Sequence, residues 1–328
     1  MRRIFYIVSG FVILGSILWA DTYFEDFNDL SSCDMPFTSG GWNVADSVGT
    51  VAMKPPQQLS WGDADGQTQK ADVKGGYIYV ADIDGIAKFS ISTGSQTDHY
   101  NTTGSAVDIM VSGEYGFIAS SSRFYSTLLS DLDGTTSYSL SVNAYGLDIL
   151  RDSAYVGGGS DGLRCIDIST PTSMQDRGTC SSWGGSKDAR GVAICSKGAS
   201  DYAVIADAYY GVVHIKISGG FGTPHITNLE EGGYYIAARD TMAILAAGDS
   251  IYVLGLGNID ADTDLNVLAR LKSRDNAYDA EFINDSIFAV ADGTYGMDIF
   301  RICGNDAGRV YLLCSVPLDA SGDAAKGV

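Results

Sequence analysis

With 328 residues and 45% hydrophobic side chains, the chain can bury a sizeable core, which excludes a globally disordered protein. Asp and Glu number 40 against 21 Lys and Arg, and a formal charge of −19 lacks the basic footprint that binding to nucleic-acid phosphates requires. Glycine is abundant (40 residues) and proline scarce (6 residues), so many tight turns between short strands are expected.

The N-terminus has the three-part pattern of a secretory signal peptide. Arg2 and Arg3 form a basic start, residues 4–18 are an uncharged apolar run, and Ala20 is a small residue ahead of Asp21. The run is short for a membrane span. We therefore predict a signal peptide over residues 1–20, a secreted or cell-surface location, and no transmembrane segment after cleavage. An uncleaved N-terminal anchor is the alternative.

After this segment, residues 21–41 are predicted to form an extended arm. Tyr23, Phe24 and Phe27 give the arm aromatic side chains that can pack on the domain that follows. The alternative is the remnant of a small separate module.

A three-stranded pattern then recurs along the chain. An apolar residue followed by a small one marks the middle strand of each copy: Val44-Ala45, Val80-Ala81, Ile118-Ala119, Val156-Gly157, Ile205-Ala206, Leu245-Ala246 and Val290-Ala291. The six intervals between Ala45 and Ala291 average 41 residues. A strand repeat of this length predicts the blades of a β-propeller.

The flanking strands follow the same period. The third strand starts at Gly85, Gly162, Gly211 and Gly296, and apolar and polar residues alternate after each glycine. The first strand starts with a small residue, a variable one, then Asp or Gly and an aliphatic residue; Ala106, Ala144, Ala189 and Ala277 begin the clearest copies, and Lys70 and Gly233 begin looser ones. In a propeller this strand lines the crowded central channel.

The residues of these strands resemble the repeats of a known family. The Val-Ala-Asp of the middle strand and the Gly-Leu-x-x-Ile-Asp-Ile-Ser of residues 162–169 are similar to the LVIVD repeats of secreted and cell-surface propellers in bacteria and archaea. The copies at Val80, Val156, Ile205 and Val290 match well, and the resemblance extends over nearly the whole mature chain. It implies a β-propeller and gives no catalytic residues to carry over.

The two ends of the chain carry complementary parts of one blade. Residues 325–328 resemble a first strand, and residues 42–46, 49–53 and 57–61 resemble strands two, three and four. We predict an all-β fold, a β-propeller of seven four-stranded blades over residues 42–328, in which one blade is closed by both termini. A reading frame that ends inside a longer repeat array is the alternative.

One disulfide is a candidate among the six cysteines. Cys165 and Cys180 lie roughly symmetrically about the turn at residues 170–173, so a hairpin would bring them opposite each other. The alternative is two small buried thiols.

Calcium is the one cofactor that the sequence suggests. Asn258, Asp260, Asp262 and Asp264 alternate along a loop between two strands, and oxygen ligands suit calcium, although the EF-hand pattern fails. The alternative is a solvated acidic loop.

The variable position of the first strand supplies the candidate ligand-binding residues Tyr145, Arg190, Tyr234, Tyr278 and Lys326. In a closed ring these residues would meet near one mouth of the channel. Tyr and Arg are common binding anchors because they combine a large contact area with a polar tip. The alternative is that they pack between blades.

Two functions follow from this reading. The first is a non-enzymatic secreted or cell-surface propeller that binds an unidentified protein or glycan partner through its loops and channel mouth. The second is an extracellular hydrolase or lyase with a calcium-assisted site in the channel. Catalytic groups usually converge on the axis, and the chain has only three histidines, so binding is preferred. Two titratable groups within hydrogen-bond reach in the channel would favour the enzyme.

Overall fold

The described part of the chain consists almost entirely of β-strands. The computed structural model describes residues 4–8, 11–15, 58–63, 68–132, 138–261, 263–302, 309–316 and 325–327. Within these ranges the only helical turn is a 3-10 turn at Pro171–Ser173, and no helix is long and apolar enough to cross a membrane. The predicted all-β class is confirmed.

Five sheets have four strands each, and sequential strands pair antiparallel. One sheet contains β1 (Ile4–Val8), β2 (Phe11–Gly15), β3 (Gln58–Asp63) and β26 (Ala325–Gly327), in the order β26-β1-β2-β3. The next contains β4 (Thr68–Lys74), β5 (Tyr77–Asp82), β6 (Gly85–Ser90) and β7 (Gln96–Asn101). A third contains β8 (Ala106–Ser112), β9 (Tyr115–Ser120), β10 (Arg123–Leu128) and β11 (Tyr138–Leu140).

Two further four-stranded sheets and one larger sheet complete the fold. The fourth contains β12 (Gly146–Leu150), β13 (Ser153–Gly157), β14 (Leu163–Asp167) and β15 (Gln175–Cys180), and the fifth β16 (Ala189–Lys197), β17 (Ser200–Asp207), β18 (Gly211–Lys216) and β19 (His225–Asn228). A six-stranded sheet contains β20 (Tyr235–Arg239), β21 (Met242–Gly255), β22 (Asn266–Asn284), β23 (Ile287–Asp292), β24 (Met297–Ile302) and β25 (Val310–Val316).

The core lies between the faces of neighbouring sheets. The second strands are the most deeply buried; in β23 every residue from Ile287 to Asp292 is buried. One cluster joins Val204 and Ala206 of β17 to Leu245 and Tyr252 of β21, across two sheets. The apolar residue followed by a small one in each second strand therefore serves packing, because the small residue lets the next sheet approach closely.

The first strands form the inner wall of a ring. Their contacts run β4–β8–β12–β16–β20–β22–β26 and return to β4. The approach is tight: a Cβ on Gly146 would lie 2.6 Å from the carbonyl oxygen of Arg190, and one on Gly191 would lie 2.8 Å from the Cα of Tyr235. The Asp-or-Gly position of the first strand therefore holds glycine where backbone packs on backbone. This closed series of inner strands is the arrangement of a β-propeller.

The predicted count of seven separate four-stranded blades differs from the sheets observed, which are five of four strands and one of six. The six-stranded sheet arises because β21 and β22 are each one long continuous strand. The amide of Leu256 donates to the carbonyl of Thr241 at 2.7 Å. A straight 14-residue strand would hold its ends ~45 Å apart, so β21 folds back on itself near Gly248, where φ is +62°. Likewise β22 pairs first with β21 and then with β23.

Both chain ends contribute to the sheet β26-β1-β2-β3, but its middle strands are not those predicted. They are Ile4–Val8 and Phe11–Gly15, from the segment that the sequence assigns to a signal peptide. A short apolar run rich in Ile and Val fits a buried strand and a signal peptide equally well. Residues 42–46 and 49–53, which were expected in these places, lie outside the described residues, as does the arm at 21–41. The signal peptide stays a prediction.

The disulfide predicted between Cys165 and Cys180 is not formed, and both thiols are free. The strands β14 and β15 do pair as a hairpin, but Cys180 lies opposite Leu163 and Cys165 lies opposite Gly178. A bulge after Cys165 shifts the register, so the two cysteines are diagonal neighbours two positions apart.

Candidate binding face at the channel mouth

One end of the ring carries both the starts of the first strands and the turns between second and third strands. Ala277 pairs with Asp292, and Ala189 pairs with Asp207, so the beginning of each first strand lies beside the end of the second. Each predicted mouth residue follows directly after such a starting residue in sequence. We call this end of the ring the mouth face.

The structure brings four of the five predicted mouth residues together in pairs. The guanidinium carbon of Arg190 lies 4.5 Å from the ring centroid of Tyr145, and the ammonium of Lys326 lies 5.9 Å from that of Tyr278. Both are cation–π contacts between consecutive first strands. Tyr234 is 53% exposed and directly precedes β20, the inner strand that lies between those of Arg190 and Tyr278 in the ring. The five residues thus follow one another around an arc of the mouth.

Exposed aromatic surface is concentrated on this face. Among the described residues, eight large hydrophobic side chains are exposed, and four of them are tyrosines of the mouth face: Tyr209 (64%), Tyr234 (53%), Tyr295 (49%) and Tyr278 (39%). Sequence reasoning missed Tyr209 and Tyr295. Their signal is a tyrosine between the last Asp of the second strand and the glycine that starts the third, in residues 207–211 and 292–296.

In two repeats the aspartate that ends the second strand accepts hydrogen bonds from the turn that follows it. Asp207 accepts hydrogen bonds through Oδ1 from the amides of Tyr209 and Tyr210, at 2.9 and 3.1 Å. Its Oδ2 accepts from the indole of the buried Trp183 at 3.0 Å. Asp82 accepts in the same way from the amide of Gly85 at 2.6 Å. These carboxylates fix the turns after β5 and β17, and the second of these turns presents Tyr209.

Beneath the mouth, four side chains fill the channel. They come from the third position of the first strands, and we call them the channel cluster: Lys70, Asp108, Tyr235 and Asp279. The Lys70 ammonium donates to Asp279 Oδ2 at 2.7 Å and lies 3.9 Å from the Tyr235 ring centroid. The side chains of Lys70 and Asp279 are only 9% and 2% exposed, so little of this ion pair is open to solvent.

Burial and charge act against each other in this cluster. Burial alone would lower the pKa of Lys70, but the carboxylates of Asp279, Glu281 and Asp108 outweigh it and raise that pKa above its ordinary value. Burial raises the pKa of Asp108 to about 7, and it raises the pKa of the Tyr235 phenol well above its usual range. The cluster therefore holds Lys70 charged.

Aspartates of the inner strands also join each sheet to the next. Asp108 accepts from the amide of Ile109 at 2.8 Å with Oδ1 and from that of Leu147, on the next inner strand, at 2.9 Å with Oδ2. Asp148 repeats the pattern toward Ile194 at 2.7 Å. Burial raises the pKa of Asp148 to about 6. These links are structural, because backbone amides already occupy both oxygens.

The channel cluster could not be predicted because the sequence places one looser copy of the repeat in the wrong register. The sequence aligns Lys70 with Ala106, whereas the structure pairs Thr68 with Asp82 as it pairs Ala106 with Ser120. Gln69 therefore takes the variable position at the mouth. Lys70 moves into the channel, to the same position as Asp108.

The side chains of the predicted calcium loop contact other residues of the chain. Asp260 accepts from the Lys197 ammonium, and Asp264 lies 3.0 Å from His225 Nε2. Asn258 donates to the carbonyl of Asp264 at 2.6 Å. Asp262 lies outside the described residues. In the part that is described, no three His, Cys, Asp or Glu side chains are grouped so as to hold a metal ion. Calcium binding here stays a prediction.

Comparison with known sequences agrees with the repeat pattern. The model of the LVIVD repeat family matches residues 65–86, 103–123 and 143–181. The chain contains LVIVD repeats. The matched segments hold the first and second strands of two repeats, β4–β5 and β8–β9, and all four strands β12–β15 of a third. No curated protein matches the chain by sequence.

Solved structures agree with the fold of these LVIVD repeats. The WD40 repeats of RRP9 superpose with a TM-score of 0.65 at 14% identity, covering 78% of this chain and 82% of that one. Hsv2p of Kluyveromyces lactis gives 0.58 at 9% identity, with 80% and 90% covered. BamB of Moraxella catarrhalis gives 0.53 at 12% identity, with 82% and 79% covered. WD40 repeats build β-propellers, so the predicted propeller fold is confirmed. Sequence identities this low show a similarity of fold alone.

Proposed function

We propose that this LVIVD-repeat propeller is a non-enzymatic secreted or cell-surface scaffold that binds a protein or glycan partner through its loops and channel mouth. The observation that carries the proposal is the exposed arc of tyrosines on the mouth face, held between two aromatic–cation pairs. Clustered exposed aromatic side chains are a common feature of binding surfaces. The buried Lys70–Asp279 pair below supports binding at the mouth rather than passage through the ring.

Substitution at the mouth tests this proposal. The full chain would be tested against a panel of purified polysaccharides and purified cell-surface proteins. We expect Tyr234→Ala with Tyr278→Ala to weaken whatever binding is found at least tenfold, since buried aromatic anchors carry about 2 kcal/mol or more each. Leu312→Ala is the control, because Leu312 is 40% exposed but lies on the outer strand β25. Binding that the double variant retains in full would contradict the proposal.

We also propose that the ring has seven blade positions. The support is that seven inner strands contact one another in series and that β21 folds back on itself. The six-stranded sheet then fills two adjacent positions, with its two halves joined through β22.

The proposed location rests on the N-terminal pattern. We expect the exported protein to begin at Asp21, which N-terminal sequencing of the extracellular fraction would check. An intact Met1 in a protein recovered only from the cytoplasm would contradict export.

One observation favours the alternative, an extracellular hydrolase or lyase with a calcium-assisted site in the channel. Lys70 and Asp279 are two titratable groups within hydrogen-bond reach there. Their burial argues for a structural pair, since a substrate would have to open the layer to reach them. A calcium titration tests the metal: a rise in Tm at millimolar calcium that Asp264→Asn abolishes would support the alternative, and no shift would remove its calcium.

A further inference from the structure

Two arginines of the mouth face are paired with carboxylates. Arg190 donates to Asp188 at 2.6 Å, and Arg274 pairs with Asp298 through two nitrogens. Lys326 has no such partner: among the described residues, none places a carboxylate within 4.0 Å of its ammonium. Desolvation lowers the pKa of Lys326 without a carboxylate to offset it. This half-buried ammonium lies over the ring of Tyr278.

From this arrangement we infer that the mouth face binds a carboxylate-bearing saccharide, with Lys326 pairing to the carboxylate and the neighbouring tyrosines stacking on the sugar rings. The inference rests on the proposed binding role of the same face and names its ligand class. A partly desolvated cation without a counter-charge gains most from an anionic partner, because a charge-assisted hydrogen bond restores the interactions lost with water.

The tyrosines favour a saccharide over a protein as the source of the carboxylate. Tyr278 lies on the inner strand β22 and Tyr234 directly precedes the inner strand β20, whereas Tyr209 and Tyr295 lie on turns between second and third strands. An arc of exposed tyrosines above a buried ion pair offers stacking sites and phenol hydroxyls for successive sugar units. A protein partner would more often cover a contiguous apolar core, with fully desolvated anchors at its centre.

The acidic character of the whole chain does not decide the matter. A formal charge of −19 opposes an anion at long range. Charges are screened beyond about 8 Å at physiological ionic strength, so groups in the immediate neighbourhood of Lys326 dominate. Asp279, the channel-cluster carboxylate on the neighbouring strand β22, is already paired with Lys70.

A matched pair of probes separates the contribution of the carboxylate from that of the sugar ring. Calorimetry would compare the full chain with oligogalacturonate and with the same oligosaccharide after reduction of its carboxyl groups. We expect the acidic form to bind about tenfold more tightly, because a hydrogen bond to a charged group contributes about 1.5 kcal/mol or more. Lys326→Gln should abolish this preference, and Lys326→Arg should keep it. Lys216→Gln, an exposed lysine at the far end of β18, should change nothing.

The outcomes distinguish this inference from the proposed function. Equal binding of both oligosaccharides, or a preference that survives in Lys326→Gln, would overturn the carboxylate assignment and leave the mouth as a binding face. A third outcome is that neither oligosaccharide binds, while a purified protein binds the natural chain but not the variant with Tyr234→Ala and Tyr278→Ala. That outcome would overturn the saccharide as ligand and keep the proposed function. If no probe depended on the tyrosines, both would fail. Thermal melting of each variant checks that the ring still folds.

Discussion

At the residue scale, the channel cluster concentrates charge where water is nearly excluded. Lys70 and Asp279 depend on each other, since removing one partner of a buried ion pair leaves the other charge without compensation. We expect Lys70→Met to lower the free energy of unfolding by about 3–5 kcal/mol. Urea denaturation would measure it.

The double variant tests the cause of that loss. Lys70→Met with Asp279→Leu removes both charges and should recover much of the stability, because apolar replacements of buried pairs are often neutral or stabilising. A single Lys70→Met variant as stable as the natural chain would mean that the pair is open to water.

Asp108 should make the stability depend on pH. Its pKa is raised from 3.8 to about 7 by burial, so between these values the folded chain holds a proton that the unfolded chain has lost. This group's contribution is greatest below the unfolded pKa and declines as the pH rises toward 7. We expect the difference in unfolding free energy between the natural chain and Asp108→Asn to fall by up to roughly 4 kcal/mol between about pH 4 and pH 8.

Chemical denaturation at several pH values would follow this difference. Asp152→Asn changes an exposed turn residue and serves as the control. A difference that stays constant, or that grows with pH, would show that Asp108 is ionised throughout and held by its two amide partners.

At the element scale, the first strands can approach each other only where the repeat supplies glycine. A Cβ at position 191 would lie 2.8 Å from the backbone of Tyr235, and backbone cannot move aside as a flexible side chain can. We expect Gly191→Ala to destabilise the fold by about 1–3 kcal/mol, measured by urea denaturation. Gly185→Ala has no atom within 4 Å of the new methyl group and should stay within about 0.5 kcal/mol. Equal effects would contradict the close packing.

The strands themselves could be predicted from the sequence, because alternation and turn residues are local signals. Val80-Ala81, Val156-Gly157 and Val290-Ala291 all lie in second strands, and Gly85 and Gly211 begin third strands. Register was harder to predict. A bulge after Cys165 separates it from Cys180, and Lys70 lies two positions from its expected place.

The candidate site shows the same division between local and long-range signals. Tyr145 and Arg190 are 45 residues apart in sequence, and their contact follows from the ring alone. The Lys70–Asp279 pair joins residues separated by 209 positions, and no local pattern predicts such a pairing. The turn tyrosines Tyr209 and Tyr295 were available in the sequence, but their exposure depends on which end of the strands faces water.

At the scale of the whole molecule, the mouth face depends on a ring that the C-terminal strand closes. β26 contacts β4 on one side and β22 on the other. Lys326, the cation of the inferred saccharide site, belongs to this strand. The mouth face is therefore complete only when the ring is closed, because an open ring would carry Lys326 away from Tyr278.

Amide hydrogen exchange at β26 tests closure most directly. The amide of Ala325 donates to the carbonyl of Gly293 at 2.8 Å, and this bond joins the C-terminal strand to the preceding sheet. We predict that the amides of Ala325–Gly327 in the full chain exchange at least about a thousandfold more slowly than in an unstructured peptide. Exchange of these amides at the unprotected rate, while β23 stays protected, would contradict the closed ring and the mouth built upon it.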